Sequence, residues 1–171
     1  LVLFKEQGDR YFANVVKNSF ISLDKFKGDA PYWKTEVTST YLKNLYDITA
    51  PFIDTRFNEQ IALFYYNSGA EFNIPNYKQP LRNYADLLAS RKAAGHVINI
   101  NSNAYYISDY FPVNQQVTTH ASMNHLLGGM NILLLAYQEF QDVKYLEAAT
   151  AVSRALQIEK NKWIRANGDI W

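Results

Sequence analysis

The sequence predicts an all-α chain of antiparallel helical hairpins, part of an (α/α) toroid, with one small β-hairpin. Apolar residues recur at three-to-four spacing through most of the 171 residues, which is the period of an amphipathic helix. The connections between these stretches are short, and short connections make successive helices antiparallel neighbours. A single passage, residues 97 to 110, has instead the β-branched and aromatic composition typical of a strand pair.

The individual helices are predicted from their apolar stripes and from the residues that end them. Pro51 interrupts the second helical stretch, and Gly69 and Gly95 supply helix ends. Asn167-Gly168 is a hairpin turn signal near the end of the chain. The predicted helices cover residues 12–23, 38–50, 52–68, 81–95, 117–140 and 143–160.

The length and the composition are those of one domain. A chain of 171 residues, 48% of them hydrophobic, can bury most of its apolar surface in one core. The helical pattern has already begun at residue 1, and the last residues form a turn signal. We therefore expect residues 1–171 to be a single helical domain and an excerpt of a longer toroid protein.

Charge and cysteine content exclude several classes of function. The formal net charge is +1 with both signs interspersed, which argues against a nucleic-acid partner. The absence of cysteine removes disulfides, thiolate zinc sites and cysteine nucleophiles. The longest apolar stretch, "MNILLLAY", is too short to cross a bilayer. We expect no membrane span within this chain, no metal and no cofactor; the oligomeric state does not follow from the sequence.

Aromatic residues are unusually frequent, with thirteen tyrosines, ten phenylalanines and three tryptophans. Tyrosine suits sugar ligands because its ring packs on C–H groups while its hydroxyl forms hydrogen bonds. The alternative interpretation is a core in which tyrosine replaces phenylalanine.

The first candidate site is "TTHASMNH", residues 118 to 125. Thr118 or Thr119 is predicted as the N-cap of a buried helix, so that His120 and Asn124 lie on one face at i and i+4. Polar side chains at a helix N-terminus suit an anionic or hydroxyl-rich ligand. We expect His120 to be catalytic, Asn124 to bind substrate, and this helix end to meet either the segment of residues 108–111 or a solvent-filled pocket. The alternative is that both side chains only cap and satisfy the backbone.

Two points about the same helix concern metals and packing. The two histidines of this stretch, His120 and His125, are five residues apart with no HExxH-type glutamate between them, so a metal site is not predicted. Gly128-Gly129 weakens a helix by about 2 kcal/mol relative to two alanines. This cost predicts a neighbouring helix packed very close to the two glycines.

The second candidate site is "AYYISDYF", residues 104 to 111. In a strand, Tyr106 and Tyr110 share one face, whereas Tyr105 and Asp109 share the other. Tyrosines can transfer protons when their pKa is depressed, and they can hold a sugar. Tyr106 and Tyr110 are therefore predicted as catalytic residues, and Tyr105 and Asp109 as substrate-binding residues. The alternative is an aromatic hairpin that packs on the helices.

The third candidate pair, Arg56 and Glu59, lies on adjacent turns of a predicted helix. At i and i+3 such residues form a solvated ion pair in most helices. If the helix faces a cleft, Arg56 can instead clamp a carboxylate. We predict both as substrate-binding residues.

The last third of the chain, about residues 109 to 171, resembles the C-terminal domain of D-glucuronyl C5-epimerases. The resemblance lies in the order of "ASMNHLLGGMNILLLAYQEFQDVKYLEAATAVSRAL" and "WIRANGDIW". In that family a serine or threonine segment leads to a helix centred on asparagine, then to a second helix and an aromatic turn. Asn124 matches the helix asparagine, and Ser108 to Pro112 match the tyrosine- and proline-containing segment before it. His125 stands where the family usually has glycine.

The resemblance implies an incomplete (α/α) toroid like those of many polysaccharide lyases and six-hairpin glycosidases. It also implies proton abstraction and return at C5 of a uronic acid, with further catalytic tyrosines beyond this chain. We therefore expect a carbohydrate-active protein, bacterial and extracellular or at the cell surface, with a polysaccharide partner. The reaction that the resemblance implies is uronic-acid C5 epimerisation or a related lyase or glycosidase reaction. The alternatives are a non-catalytic helical binding module and a structural fragment.

Overall fold

A computed structural model describes residues 1–170 and shows an α+β fold. About 55% of the chain is helical and 11% lies in strands, which form two small antiparallel sheets of two strands each. The prediction of an all-α fold is therefore wrong. The elements are α1 (Val2–Gln7), α2 (Arg10–Lys27), α3 (Thr40–Tyr46), β1 (Phe52–Asp54), α4 (Thr55–Ser68), α5 (Gln79–Ala89), β2 (Val97–Asn101), β3 (Ala104–Ile107), β4 (Tyr110–Pro112), α6 (Met123–Phe140), α7 (Val143–Ile158) and α8 (Lys160–Trp163).

The sequence pattern predicts one of the two sheets and misses the other. Strands β2 and β3 form the predicted hairpin, with Val97 opposite Ile107. Strands β1 and β4 pair Phe52 with Pro112 although 60 positions separate them. Residues 52–54 were predicted as the start of a helix because their apolar side chains fit a helical stripe. No local signal indicates that their partner strand lies so far along the chain.

The main core lies between α4, α5, α6, α7 and the β2–β3 hairpin. Helices α6 and α7 are joined by only two residues, which makes them antiparallel neighbours. Leu133 of α6 and Val152 of α7 are almost completely buried. A second cluster, around Phe20 and Trp33, packs α2 against α4. Within residues 1–170, no helix has both the length and the apolar character needed to span a bilayer.

The N-cap of α6 is Ser122, four residues after Thr118 and three after Thr119, the two predicted caps, and the helix begins at Met123. The preceding residues are extended because they hydrogen-bond to the segment of residues 108–110. The Asp109 N–H donates to the His120 carbonyl at 2.9 Å, and the Ser108 hydroxyl donates to the Thr119 carbonyl at 3.2 Å. The expected helical face shared by His120 and Asn124 does not exist, but the expected meeting with residues 108–111 does.

The two glycines of α6 have different surroundings. A Cβ on Gly128 would lie 1.8 Å from Oε2 of Glu59, whereas a Cβ on Gly129 would meet only Leu88 Cδ1 at 3.6 Å. The predicted close neighbour is therefore present at Gly128. It is the carboxylate of a side chain on α4.

Candidate functional site

Asp109 is the centre of a polar cluster between β3 and α6. Its side chain is only 1% exposed. The Ser122 N–H donates to both carboxylate oxygens, at 3.0 and 3.1 Å, and the Ser122 hydroxyl donates to Oδ2 at 2.5 Å. Ser122 can reach the carboxylate because the chain before α6 runs beside residues 108–110. We call Asp109, His120, His125 and their polar neighbours Tyr46, Thr55 and Ser122 the Asp109 cluster.

Two histidines flank the Asp109 carboxylate. Nε2 of His120 lies 3.5 Å from Oδ2, and Nδ1 of His125 lies 3.9 Å from Oδ1. The His120 side chain is 33% exposed and the His125 side chain 10% exposed. One imidazole thus lies at the protein surface and the other beneath it, with a shared carboxylate between them.

The protonation of Asp109 is set by opposing effects. Burial raises the pKa of the Asp109 carboxyl above its ordinary value, while the Ser122 hydrogen bonds and the charges of His125 and His120 lower it. The net direction is upward. A buried carboxylate between two imidazoles can stabilise an imidazolium, because its negative charge is poorly screened by solvent.

Tyr46, at the end of α3, extends the cluster toward solvent. Its hydroxyl lies 2.9 Å from His120 Nδ1 and accepts the His120 backbone N–H at 3.2 Å. The Tyr46 O–H can donate to Nδ1, and in that tautomer His120 carries its proton on Nε2, which lies 3.5 Å from Asp109 Oδ2. We call this arrangement the Tyr46–His120–Asp109 chain.

Aromatic rings surround the exposed part of this chain. The Tyr46 ring stacks on His120 at a centroid distance of 5.7 Å, and the Tyr41 ring meets His120 edge-on at the same distance. The Tyr110 ring lies 5.6 Å from His120 and 5.7 Å from His125. Tyr41 is 56% exposed. These rings give His120 a fixed orientation and leave an aromatic surface next to it.

The inner histidine is held from α4. The Thr55 hydroxyl lies 2.6 Å from His125 Nδ1, and the Thr55 carbonyl accepts the Tyr84 hydroxyl at 2.6 Å. Asp54 caps this helix by accepting the N–H groups of Arg56 and Phe57. A cavity of about 10 Å³ adjoins His125 and Thr55, which is room for about one water molecule.

Arg56 and Glu59 form an ion pair on the same helix. Nη1 of Arg56 lies 2.6 Å from both carboxylate oxygens of Glu59. The Glu59 side chain is 6% exposed and that of Arg56 is 39% exposed, so the pair differs from the fully solvated one expected at this spacing. Glu59 packs against Gly128, one helical turn after Asn124 on the same face of α6. The pair therefore lies beside the Asp109 cluster, with the guanidinium toward solvent.

The structure brings together some of the predicted site residues and separates others. Asp109, Tyr110 and His120 lie in one group, and exposed Asn124 joins it because the Ser122 hydroxyl lies 2.8 Å from its Oδ1. Tyr105 and Tyr106 are both 5% exposed and lie elsewhere. The Tyr106 hydroxyl donates to the Ala155 carbonyl at 3.1 Å and accepts the indole N–H of Trp163 at 3.0 Å.

Buried tyrosines in this structure hold their protons. Burial is the main cause that raises the pKa of Tyr105 and of Tyr106, and it raises that of Tyr110 to about 12, with Asp54 and Asp109 adding to the effect. The prediction of Tyr106 and Tyr110 as catalytic tyrosines assumed a depressed pKa. That condition is not met by either residue, so neither is suited to be a base near neutral pH.

Several residues of the site had no signal in the sequence. Tyr46 lies 74 positions before His120, and Thr55 lies 70 positions before His125. Neither belongs to a motif. His125 was visible as a histidine near His120, but a helix starting at Thr118 would have directed it away. The extended backbone of residues 118–122 is what allows both imidazoles to reach Asp109.

Among residues 1–170, no group of three or more histidine or acidic side chains is arranged to hold a metal ion. The chain was also compared with protein-family models, with curated proteins and with solved structures, and none of them matches.

Proposed function

We propose that the chain belongs to a carbohydrate-active protein that transfers a proton on an acidic polysaccharide at the Asp109 cluster. The single observation that carries the proposal is the Tyr46–His120–Asp109 chain, whose inner end is a buried carboxylate and whose outer end is a tyrosine hydroxyl. The aromatic surface around His120 suits a sugar ring. The resemblance of residues 109–171 to C5-epimerases points to the same chemistry.

The first step uses Tyr46 as the base. Nδ1 of His120 takes the hydroxyl proton of Tyr46, and the Asp109 carboxylate stabilises the imidazolium that forms. The tyrosine oxygen then takes the proton from C5 of a uronic acid residue, and the electron pair of the C–H bond moves toward the sugar carboxylate. A base held by hydrogen bonds in this way needs no reorganisation when charge develops.

The second step separates two related reactions. In epimerisation, Tyr110 donates its proton to C5 from the opposite face of the ring; in the lyase reaction, the electron pair expels the C4 oxygen substituent, which takes that proton. The Tyr110 oxygen then regains a proton from solvent, and the His120 imidazolium releases one to solvent. Tyr110 suits the donor role because it keeps its proton at neutral pH. The exposed side of Arg56 is proposed to bind the sugar carboxylate, with Glu59 as its positioning residue. Asn124 is proposed to bind sugar hydroxyls. Residues Tyr105 and Tyr106 have no part in this mechanism.

A second candidate is a purely structural joint. Within the described part of the chain, every buried side-chain polar atom has a hydrogen-bond partner, and Asp109 itself is almost inaccessible. Under this alternative, the Asp109 cluster only fastens residues 118–122 to residues 108–110. The two candidates differ in whether His120 and Tyr46 matter for anything other than stability.

The test is deuterium incorporation at C5, measured by NMR on a panel of uronic-acid polysaccharides in D₂O. The wild-type chain is expected to exchange C5 protons of one of them, and Tyr46→Phe is expected to slow the exchange by about 100-fold or more. Tyr11→Phe is the matched control, because Tyr11 is an exposed tyrosine on α2. Absence of exchange with the wild type on every polysaccharide, or equal rates for wild type and Tyr46→Phe, would contradict the proposal.

A further inference from the structure

A second, larger cavity lies on the side of the molecule formed by α7, the end of α5 and the β2–β3 turn. Its volume is about 720 Å³, which is within the range of small-molecule and cofactor sites. We call it the α7 groove. Its polar lining includes Lys92, Asn103, Lys144, Glu147, Thr150 and Arg154.

The shape of the α7 groove follows from where small and long side chains stand. Ala148 and Ala151 of α7 are buried, and alanine leaves the backbone of the helix uncovered. Lys144, Glu147 and Arg154 follow one another at three- and seven-residue spacing and share one helical face. Their long side chains line the groove beside the two alanines. From residue 144 to residue 154 the groove follows α7 for about 15 Å.

The cationic side chains of the α7 groove differ in whether they have an acidic partner. Lys144 is paired with Asp86 at 2.8 Å and with Asp142 at 2.9 Å. Lys92 donates to the Ser102 carbonyl at 2.6 Å and lies over the Tyr105 ring, so its partners carry no negative charge. Arg154 is exposed and forms no ion pair within the described part of the chain. Two cations that line the groove, Lys92 and Arg154, thus have no acidic partner among residues 1–170.

We infer that the α7 groove binds an acidic oligosaccharide, with a carboxylate of the sugar chain between Lys92 and Arg154. A guanidinium and an ammonium that lack an acidic partner favour an anion. Asn103, Thr150 and the Glu147 carboxylate offer hydrogen-bonding groups to sugar hydroxyls along the same groove. The choice of a sugar as the ligand rests on the proposed function, whereas the preference for an anion rests on the groove alone.

The α7 groove is distinct from the Asp109 cluster, since no residue is shared between them. The α7 groove would therefore bind a part of the polymer that is distant from the sugar residue reacting at the Asp109 cluster. Occupation of such a site increases the effective concentration of the rest of the polymer at the Asp109 cluster.

The test is calorimetric titration with a galacturonic acid hexasaccharide and with its fully methyl-esterified form, which has the same shape without the charge. Binding of the acid form is expected, with affinity about tenfold weaker for Lys92→Gln and for Arg154→Gln, and tighter for Glu147→Gln. Lys17→Gln and Arg10→Gln remove one exposed cation each from α2 and are expected to leave the affinity unchanged.

Equal affinity for the two forms, or equal losses in the α7 groove variants and in the α2 controls, would overturn the inference. So would tighter binding of a deoxythymidine oligonucleotide of equal charge, because it would assign the groove to another class of polyanion. Failure of the proposed function is seen separately. The α7 groove variants would then lose hexasaccharide affinity while the wild type exchanges no C5 proton on any polysaccharide.

Discussion

At the scale of single residues, the site depends on contacts that tolerate little change. Asp109 is buried, accepts three hydrogen-bond contacts from Ser122 and lies next to two imidazoles. Gly128 has no room for a side chain because Glu59 occupies the space. Asp109 places a buried negative charge at the centre of the cluster, and Gly128 leaves space for the Glu59 carboxylate beside it.

Gly128→Ala is expected to leave the fold about 1–3 kcal/mol less stable than Gly129→Ala, because the added methyl group must displace the Glu59 carboxylate from its pair with Arg56, which offsets the helix preference of alanine. The neighbouring Gly129→Ala is the control. Its methyl group meets only an ordinary contact with Leu88, and alanine favours a helix by up to about 1 kcal/mol over glycine, so this variant is expected to be neutral or more stable. Urea unfolding measures both. Equal stability of the two variants, or a more stable Gly128→Ala, would contradict the described contact with Glu59.

Asp109→Asn is expected to destabilise the protein by about 1–3 kcal/mol, because an amide cannot accept from Ser122 with both of its heteroatoms. The same substitution removes the carboxylate that faces His120. Urea unfolding gives the stability change, and the imidazole ¹⁵N NMR signals report whether the surroundings of His120 have changed. Unchanged stability together with unchanged His120 signals would contradict the described cluster.

At the scale of the elements, the core helices are held by the buried face of α6. Leu133 is completely buried whereas its neighbour Leu134 is 40% exposed. Leu133→Ala is expected to cost about 2–5 kcal/mol because it leaves a cavity in the core. Leu134→Ala removes the same atoms from a half-open position and is expected to cost less than about 1 kcal/mol. Thermal unfolding compares the two; equal losses would mean that α6 is rotated from the described orientation.

Local signals predicted part of these elements and missed others for physical reasons. Helix α7 was predicted to within two residues and the turn of the β2–β3 hairpin was predicted correctly, because periodicity and turn chemistry are local. The second strand of the hairpin was predicted to run to about residue 110, but it ends at Ile107, and Tyr110 pairs with β1 instead. The start of α6 was misplaced because the backbone of residues 118–122 bonds to residues 108–110 rather than to the next helical turn. The pairing of β1 with β4 was missed because Phe52 and Pro112 lie 60 positions apart, so that no local pattern indicates the contact. Of the site, the sequence indicated Asp109 and His120, whereas Tyr46 required the tertiary fold.

At the scale of the whole molecule, buried tyrosines make the stability of the fold decrease at alkaline pH. Burial and nearby acidic groups raise the pKa of Tyr110 and of Tyr145 to about 12, and burial raises that of Tyr84 well above its ordinary value. An unfolded tyrosine ionises near pH 10. The folded state therefore binds more protons than the unfolded state above that pH, so stability is complete below about pH 10 and is lost as pH rises toward 12.

Because stability falls as the pH rises above about 10, we expect the protein to unfold cooperatively in alkaline solution. Tyrosinate absorbance and far-ultraviolet circular dichroism are expected to change together between about pH 10 and 12. Tyr145→Phe removes one of the contributing groups and is expected to flatten the dependence of stability on pH in this range. Full tyrosine ionisation with the helical signal intact would show that the rings are not buried as described.

The most direct test of the proposed proton-transfer site uses the three histidines as probes. They stand in different places: His120 in the exposed part of the Asp109 cluster, His125 beneath it, and His96 against Phe111 with Nδ1 3.2 Å from the Val117 carbonyl. Imidazole ¹⁵N NMR is recorded while an acidic oligosaccharide is added. Binding at the Asp109 cluster predicts that the His120 signals shift first and most, that His125 follows, and that His96 does not move. Unchanged His120 signals at saturating oligosaccharide would contradict the proposed site.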